Sequence, residues 1–217
     1  MNIKRAWKKL LMEQCRRPGG ILGEYIGRRM NRSHYALTTW GLSQVDVAPD
    51  QDILDIGCGG GRTLARLAEL APRGRICGID ASPKSVALSR RHNAKAVASG
   101  HMEVRQASVS ALPYRGATFH LATAVETHYF WPDLAADLIE VRRVLRPGGR
   151  FLLLAEVYDT PRFDARNRKW LELVPMTYLT PVRFRELFEA AGFVDVAVHE
   201  EPDQGWLCCL GRKPDAA

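Results

Sequence analysis

The sequence predicts an α/β protein: a seven-stranded, mainly parallel sheet that ends in an antiparallel strand pair and is preceded by a helical N-terminal cap. Three observations carry this expectation. From Asp52 onward, short apolar runs alternate with amphipathic stretches, the pattern of βαβ units around a parallel sheet. The first run, Ile53-Leu54-Asp55-Ile56, breaks into Gly57, Gly59, Gly60 and Gly61, a turn that only glycine makes comfortably, with a helix starting directly behind it. After about residue 156 the alternation gives way to a loop rich in Arg and aromatics, one further helix, and two apolar runs joined by a polar turn.

The elements follow in order. Residues 1–48 read as the cap: a basic amphipathic helix broken at Pro18-Gly19-Gly20, a helical stretch from Leu22 to Met30, and a third segment from Ser33 to Leu42. Residues 49–217 read as the main domain, with 157–182 as an insertion on its ligand side. Strands are expected at Ile53–Ile56, Arg75–Ile79, Met102–Gln106, Phe119–Ala124 and Arg150–Glu156, and helices at Arg62–Ala71, Pro83–Ser99 and Asp133–Leu145. Ser82-Pro83 and Pro132-Asp133 mark helix starts, and Pro147-Gly148-Gly149 marks a helix stop. Val182–Ala191 is the last helix, and Val194–His199 with Trp206–Leu210 the closing pair.

With 217 residues, 46% apolar and 25% charged, the chain is of ordinary globular composition and long enough for a full core. No apolar run is long enough to span a membrane, and the charged start is unlike a secretory signal. Five scattered cysteines form no CxxC pair, which fits reduced thiols in a cytoplasmic protein. The net charge of +7 is concentrated in residues 1–32, which hold nine Lys or Arg against Glu13 and Glu24. That segment reads as a solvated helix packed on the domain, or as a docking arm for a membrane surface or RNA, neither of which has a supporting motif.

In an open α/β sheet the ligand lies beyond the C-terminal strand ends. The glycine turn lies there, and so does Asp80, 19 residues after Gly61 and placed to accept bonds from ribose hydroxyls. The turn is not a dinucleotide fingerprint, because Arg62 stands where the third glycine belongs. Asp55 beside it suits an ammonium better than a phosphate.

D-x-G-x-G-x-G at 55–61, Asp80, Leu112-Pro113-Tyr114 and EVRRVLRPGG at 140–149 together resemble the class I S-adenosylmethionine-dependent methyltransferases, of the methyltransferase domain 11/25 type that acts on small molecules. The resemblance runs from Gln51 to Glu156. It implies a Rossmann-like fold and S-adenosylmethionine as methyl donor, leaving as S-adenosylhomocysteine. It further implies that Gly57, Gly59 and Gly61 flank the amino-acid part of the donor, that Asp55 orients its ammonium and that Asp80 binds its ribose. Cys58, Ala81, Ser85, Ser108, Val109 and Val125 complete the cofactor set. Ser108 stands where the family usually has an acidic residue for the adenine amino group.

The stretch Ala124 to Pro132, AVETHYFWP, is expected to face the methyl group. His128 is the first candidate for a base, since its ordinary pKa lies near neutral pH, with Glu126 and Tyr129 as further catalytic candidates. His34, Tyr35, Trp40, Tyr129, Trp131, Glu156, Tyr158 and Tyr178 are the candidate substrate contacts. Packing is the alternative for Trp131 and for the 34–40 segment. No metal is implied, because Glu156, Asp159 and Asp164 are spread over a loop without ligand spacing. The leading expectation is methyl transfer to a small or medium organic acceptor by a monomer or homodimer. An RNA or protein methyltransferase docking through residues 1–17, and a non-catalytic cofactor-binding regulator, are the alternatives.

Overall fold

The computed structural model describes residues 34–216. The helices expected before Ser33, and with them the basic segment, lie outside the described residues. Seven strands form one sheet: β1 (Ile53–Ile56), β2 (Ile76–Asp80), β3 (Met102–Gln106), β4 (Phe119–Val125), β5 (Leu145–Ala155), β6 (Val194–Glu201) and β7 (Trp206–Arg212). Their order is β3-β2-β1-β4-β5-β7-β6. The first five pair in parallel, while β7 runs antiparallel to both β5 and β6. The fold class read from the sequence is the observed one. The chain winds outward from β1 through β2 to β3, then returns to β4 on the other side of β1. The crevice opened by that reversal is where ligands bind in such sheets.

Among the described residues, seven α-helices cover the sheet: α1 (Tyr35–Leu42), α2 (Arg62–Leu70), α3 (Pro83–His92), α4 (Ala94–Ala98), α5 (Leu134–Val144), α6 (Asp164–Leu171) and α7 (Pro181–Ala190). Leu37, Leu64, Leu67 and Val86 bring α1 to α3 onto one face with Ile53, Leu121 and Leu152. Leu138, Val141, Phe184 and Phe188 bring α5 and α7 onto the other with Leu54, Phe151 and Leu153. β1, covered on both faces, is buried along its whole length, as a central parallel strand must be. The expected caps hold, Ser82 accepting from the Ser85 N–H and Asp133 from those of Ala135 and Ala136, and Thr180 caps the last helix by accepting from the Arg183 N–H. α1 packs so tightly that a Cβ at Gly41 would lie 2.3 Å from the Leu154 methyls.

Two boundaries differ from expectation for tertiary reasons. The helix expected over 83–99 breaks at Asn93, whose side-chain amide turns back to the carbonyls of Gly61 and Ser89 at 2.9 and 3.0 Å. The fifth strand starts at Leu145 rather than Arg150. Leu145 pairs with Phe119 and Arg150 with Leu121, so Pro147-Gly148-Gly149 sits within a register irregularity. The segment after β5 holds a short 3-10 turn and α6. It is fastened to the sheet by Arg166, which donates to the Glu156 carbonyl at 2.7 Å, and by Asn167, which donates to that of Tyr158 at 2.9 Å. No described helix is long and apolar enough to cross a membrane, and all four described cysteines are free and buried.

Candidate active site

The strand ends enclose a cavity of about 410 Å³ whose walls come from α1, the glycine turn, the start of α2 and the segments after β2, β3 and β4. The turn is built by backbone bonds. Gly57 and Cys58 both donate to the Ile79 carbonyl at 2.8 and 2.9 Å, and Gly61 to that of Cys58 at 2.9 Å. Gly57, Gly59 and Gly61 take φ of +75°, +50° and +82°, the left-handed region where a side chain is strained. The Gly59 N–H donates to one oxygen of Asp80 at 2.9 Å and the Ser82 N–H to the other at 2.8 Å. Both oxygens are thus oriented, with lone pairs left toward the cavity that Asp80 lines. Burial, the largest influence, raises the Asp80 pKa against these bonds.

Asp55 is buried and accepts from the Thr123 hydroxyl at 2.7 Å. Burial pushes its pKa up to about 7, with Asp80 adding to the rise. A cation placed beside it would restore the charged form. Gly60 is buried, lines the cavity, and its N–H has no acceptor among the described residues. Such an orphan donor at a helix start is a ready contact for a carboxylate or hydroxyl oxygen.

On the far side of β1, Glu126 adopts φ +58°, uncommon for a residue with a side chain. Its Oε1 accepts from the Tyr129 hydroxyl at 2.7 Å and from the Glu156 N–H at 2.5 Å. Burial lifts its pKa to about 7 against those bonds. Glu156 accepts from the Trp206 indole at 3.1 Å, and its own pKa is raised by burial and then by Glu126. His34 meets this pair from α1: one donor atom each of His34, Glu126 and Glu156 lie within 4.8 Å of one another. Burial lowers the His34 pKa while Glu156 opposes the shift.

Of the residues expected to hold a cofactor, Asp55, Gly57, Cys58, Gly59, Asp80, Ala81, Ser85, Ser108, Val109 and Val125 line this cavity. Gly61 does not. A Cβ there would meet Ser89 and Asn93 at 2.4 and 2.5 Å, so its role is to let α3 approach the turn. Ser108 spends its hydroxyl oxygen on the Ser110 N–H at 3.2 Å, capping a short turn. Of the expected acceptor-side residues, His34, Tyr35, Glu126 and Trp131 line the cavity.

The structure corrects the remaining assignments. His128 is fully buried, packed 4.1 Å from the Tyr129 ring and 5.3 Å from that of Phe184, and neither ring nitrogen has a partner. Burial drives its pKa down to about 3, so it is a neutral core side chain and not a base. Tyr129 is buried too. Its hydroxyl accepts from the N–H groups of Glu156 and Val157 at 3.1 and 3.0 Å while donating to Glu126, which makes it a strut beneath the site. Tyr158 is buried with its hydroxyl on Glu200 at 3.0 Å, Tyr178 reaches Asp164 at 3.5 Å, and Trp40 packs against Trp206. None of the three lines the cavity. Glu156 lies just behind it, joined to Glu126 and His34 instead of to Asp159 and Asp164.

Sequence reasoning missed Gly60, Thr127, Phe130 and the pair Arg62 and Arg66, all of which line the cavity. The arginines lie one helical turn apart, a spacing that puts them on one face, with the Tyr35 ring 4.5 and 5.2 Å from their guanidinium carbons. Thr127 was overlooked between two titratable neighbours. Its hydroxyl donates to the Ile56 carbonyl and accepts from the Trp131 indole at 3.2 and 3.1 Å. A Cβ at Gly57 would strike it at 2.5 Å.

The model of the methyltransferase domain matches residues 53–149, the span that holds the glycine turn, Asp80 and Glu126. That span of the chain is similar to a methyltransferase domain. An O-methyltransferase of Pyrenophora dematioidea is 32% identical over 169 residues, which are 74% of this chain and 62% of that protein. A demethylmenaquinone methyltransferase of Symbiobacterium thermophilum is 29% identical over 182 residues, 71% of this chain and 72% of that one. The chain therefore spans less than two thirds of the first of these relatives. Human N-acetylserotonin methyltransferase in complex with S-adenosylmethionine shares the fold, with a TM-score of 0.73 at 18% identity over 89% of this chain and 56% of its own. The residues of the cavity fit that cofactor: a buried carboxyl awaiting a cation, an orphan amide, and a carboxylate presented for hydroxyls.

Proposed function

We propose that this protein is an S-adenosylmethionine-dependent methyltransferase acting on a hydroxyl group of a small or medium organic acceptor, held between Tyr35, Phe130, Trp131 and the Glu126–His34 end of the cavity. The donor supplies a methyl group already activated on a positive sulfur. Positioning and exclusion of water then carry much of the catalysis, and a proton acceptor is needed because a hydroxyl is a poor nucleophile. Asp80 is assigned to the ribose hydroxyls, Asp55 to the ammonium, and the Gly60 N–H to the carboxylate of the donor. β2 and β4 flank β1, so Asp80 and Glu126 stand on opposite sides of the glycine turn, one at each end of the cavity. Glu126, rather than His128, is the base in this reading. Its carboxyl lines the cavity, is fixed on one oxygen, and titrates near 7, where a general base works best.

The observation that carries this reading is the pairing of a donor cradle at one end with a titratable carboxyl at the other. Similarity to the Pyrenophora O-methyltransferase supports a hydroxyl over other acceptor atoms. Calorimetry with S-adenosylhomocysteine tests the cradle, and Asp80→Ala is expected to weaken binding at least about tenfold, the loss of hydrogen bonds to a charged group. A panel of phenols, enols and alcohols with labelled donor tests the acceptor end. Glu126→Gln should lower kcat while leaving donor affinity within about twofold. Absence of S-adenosylhomocysteine binding, or an unchanged kcat in the Gln variant, would sink the assignment.

A further inference from the structure

We propose that His34, Glu126 and Glu156 form a binding site for one divalent cation of the manganese-to-zinc series at the acceptor end of the cavity. The three side chains come from the start of α1, the segment after β4 and the end of β5, and only the fold brings them together, with one donor atom of each within 4.8 Å of the others. The donor atoms are also aimed. Glu126 has its Oε1 fixed by the Tyr129 hydroxyl and the Glu156 N–H, and Glu156 has its Oε1 fixed by the Trp206 indole. The second oxygen of each carboxylate and both nitrogens of His34 make no hydrogen bond among the described residues. Ligating carboxylates are characteristically anchored this way, one oxygen held by the protein and the other turned to the ion.

Charge points the same way. Two half-buried carboxylates lie within reach of each other and of His34. The nearby cationic side chain, Arg166, spends a guanidinium N–H on the Glu156 carbonyl at 2.7 Å and forms no ion pair with either carboxylate among the described residues.

One imidazole with two carboxylates is a borderline N/O donor set, which suits Mn²⁺, Co²⁺ or Zn²⁺. Calcium would need six or more oxygens, and magnesium prefers oxygen ligands in strict octahedral order. Bonds of about 2.1 Å would set neighbouring donors about 3.0–3.4 Å apart, a contraction within reach of side-chain rotation. His34 and Glu126 line the cavity, so the open coordination positions face it and would take an acceptor oxygen. The site goes beyond the acceptor reading above and does not depend on it. With the cation bound, Glu126 would serve as its ligand instead of as the base, and the ion would lower the pKa of a bound acceptor hydroxyl so that its proton passes to solvent water.

The test uses full-length protein stripped with a chelator and titrated with Co²⁺ alone, followed by absorption, and with Mn²⁺ alone, followed by the paramagnetic resonance of the free ion. One equivalent should bind. Glu156→Gln and His34→Gln should each lose at least about tenfold in affinity, while Asp203→Asn, an exposed loop carboxylate, should lose none. S-adenosylhomocysteine calorimetry on the same samples reports folding, and Glu156→Gln, outside the cavity wall, should keep donor affinity within about twofold. Should it lose the donor as well, His34→Gln decides alone. No saturable cation binding, or parental affinity in the Gln variants, overturns the site. Cation binding without S-adenosylhomocysteine binding would leave the site standing and remove the donor assignment instead.

Discussion

Replacing His128 with leucine should make the protein markedly less acid-sensitive without slowing methyl transfer. The imidazole is fully buried and bonds to nothing, and burial takes its pKa from 6.5 to about 3. The unfolded chain therefore takes up the proton first. The protonation of this residue costs nothing at alkaline pH, and stability is lost as the pH falls from about 6.5 toward 3. With those two values the loss between pH 7.5 and 5.0 is about 2 kcal/mol. Asp55 and Glu126 run the opposite way. Their folded pKa values near 7 lie above the unfolded ones, so they add stability as the pH falls through 7 toward 4. The parent's own pH curve mixes these effects, and the informative quantity is the gap between variant and parent. Leucine is close to histidine in volume and removes two unpartnered nitrogens, so the variant should gain about 1 kcal/mol at pH 7.5. The gap should widen by about 2 kcal/mol at pH 5.0. Urea unfolding followed by tryptophan fluorescence at both pH values, with an unchanged m-value, measures it. A gap that stays constant within about 0.5 kcal/mol, inside the error of extrapolation, would refute the picture of a buried, unprotonated ring. A large drop in kcat would restore His128 as a catalytic group.

Donor binding at pH 7 should release protons, because an ammonium beside Asp55 pulls its raised pKa down; enthalpies measured in buffers of different ionisation heat reveal this, and Asp55→Asn should abolish it. Gly41→Ala places a methyl 2.3 Å from Leu154, and the overpacking should outweigh the helical gain and cost about 1–2 kcal/mol, read as a thermal midpoint lowered by several degrees. Asn93→Asp sets a carboxylate against the carbonyls of Gly61 and Ser89 and should weaken S-adenosylhomocysteine binding more than it weakens global stability. Equal losses in calorimetry and denaturation would argue against that coupling.

The donor half of the cavity was legible in the sequence because it is written in backbone terms. Glycines at 57, 59 and 61 and a carboxylate ending β2 can each be read from a single short stretch. The acceptor half depends on which way side chains turn after β4, and local sequence does not encode that. His128 points into the core because Phe184, 56 residues later, is there to receive it. Glu126 ranks behind His128 on sequence alone, since the groups that orient it include the Glu156 amide 30 residues away. The meeting of His34 with Glu156 needs α1 to dock on β5 through Gly41 and Leu154, and Trp206 joins them through the β5–β7 pairing that sets Ala155 opposite Leu207. The unbroken helix expected over 83–99 failed for the same kind of reason, as no glycine or proline announces the break at Asn93.

That break has a bearing on how the donor is met. The Asn93 amide holds the Gly61 carbonyl from 32 positions away, and Gly61 has the left-handed geometry that lets α3 press against it. The turn is thus immobilised from behind, by the scaffold, before any ligand arrives in front. A loop of consecutive glycines would otherwise sample many shapes and lose that freedom at the moment of binding. Asn93 transfers the ordering to the folding step, so recognition can be rapid and reversible, as the proposed exchange of donor for product at every turnover requires.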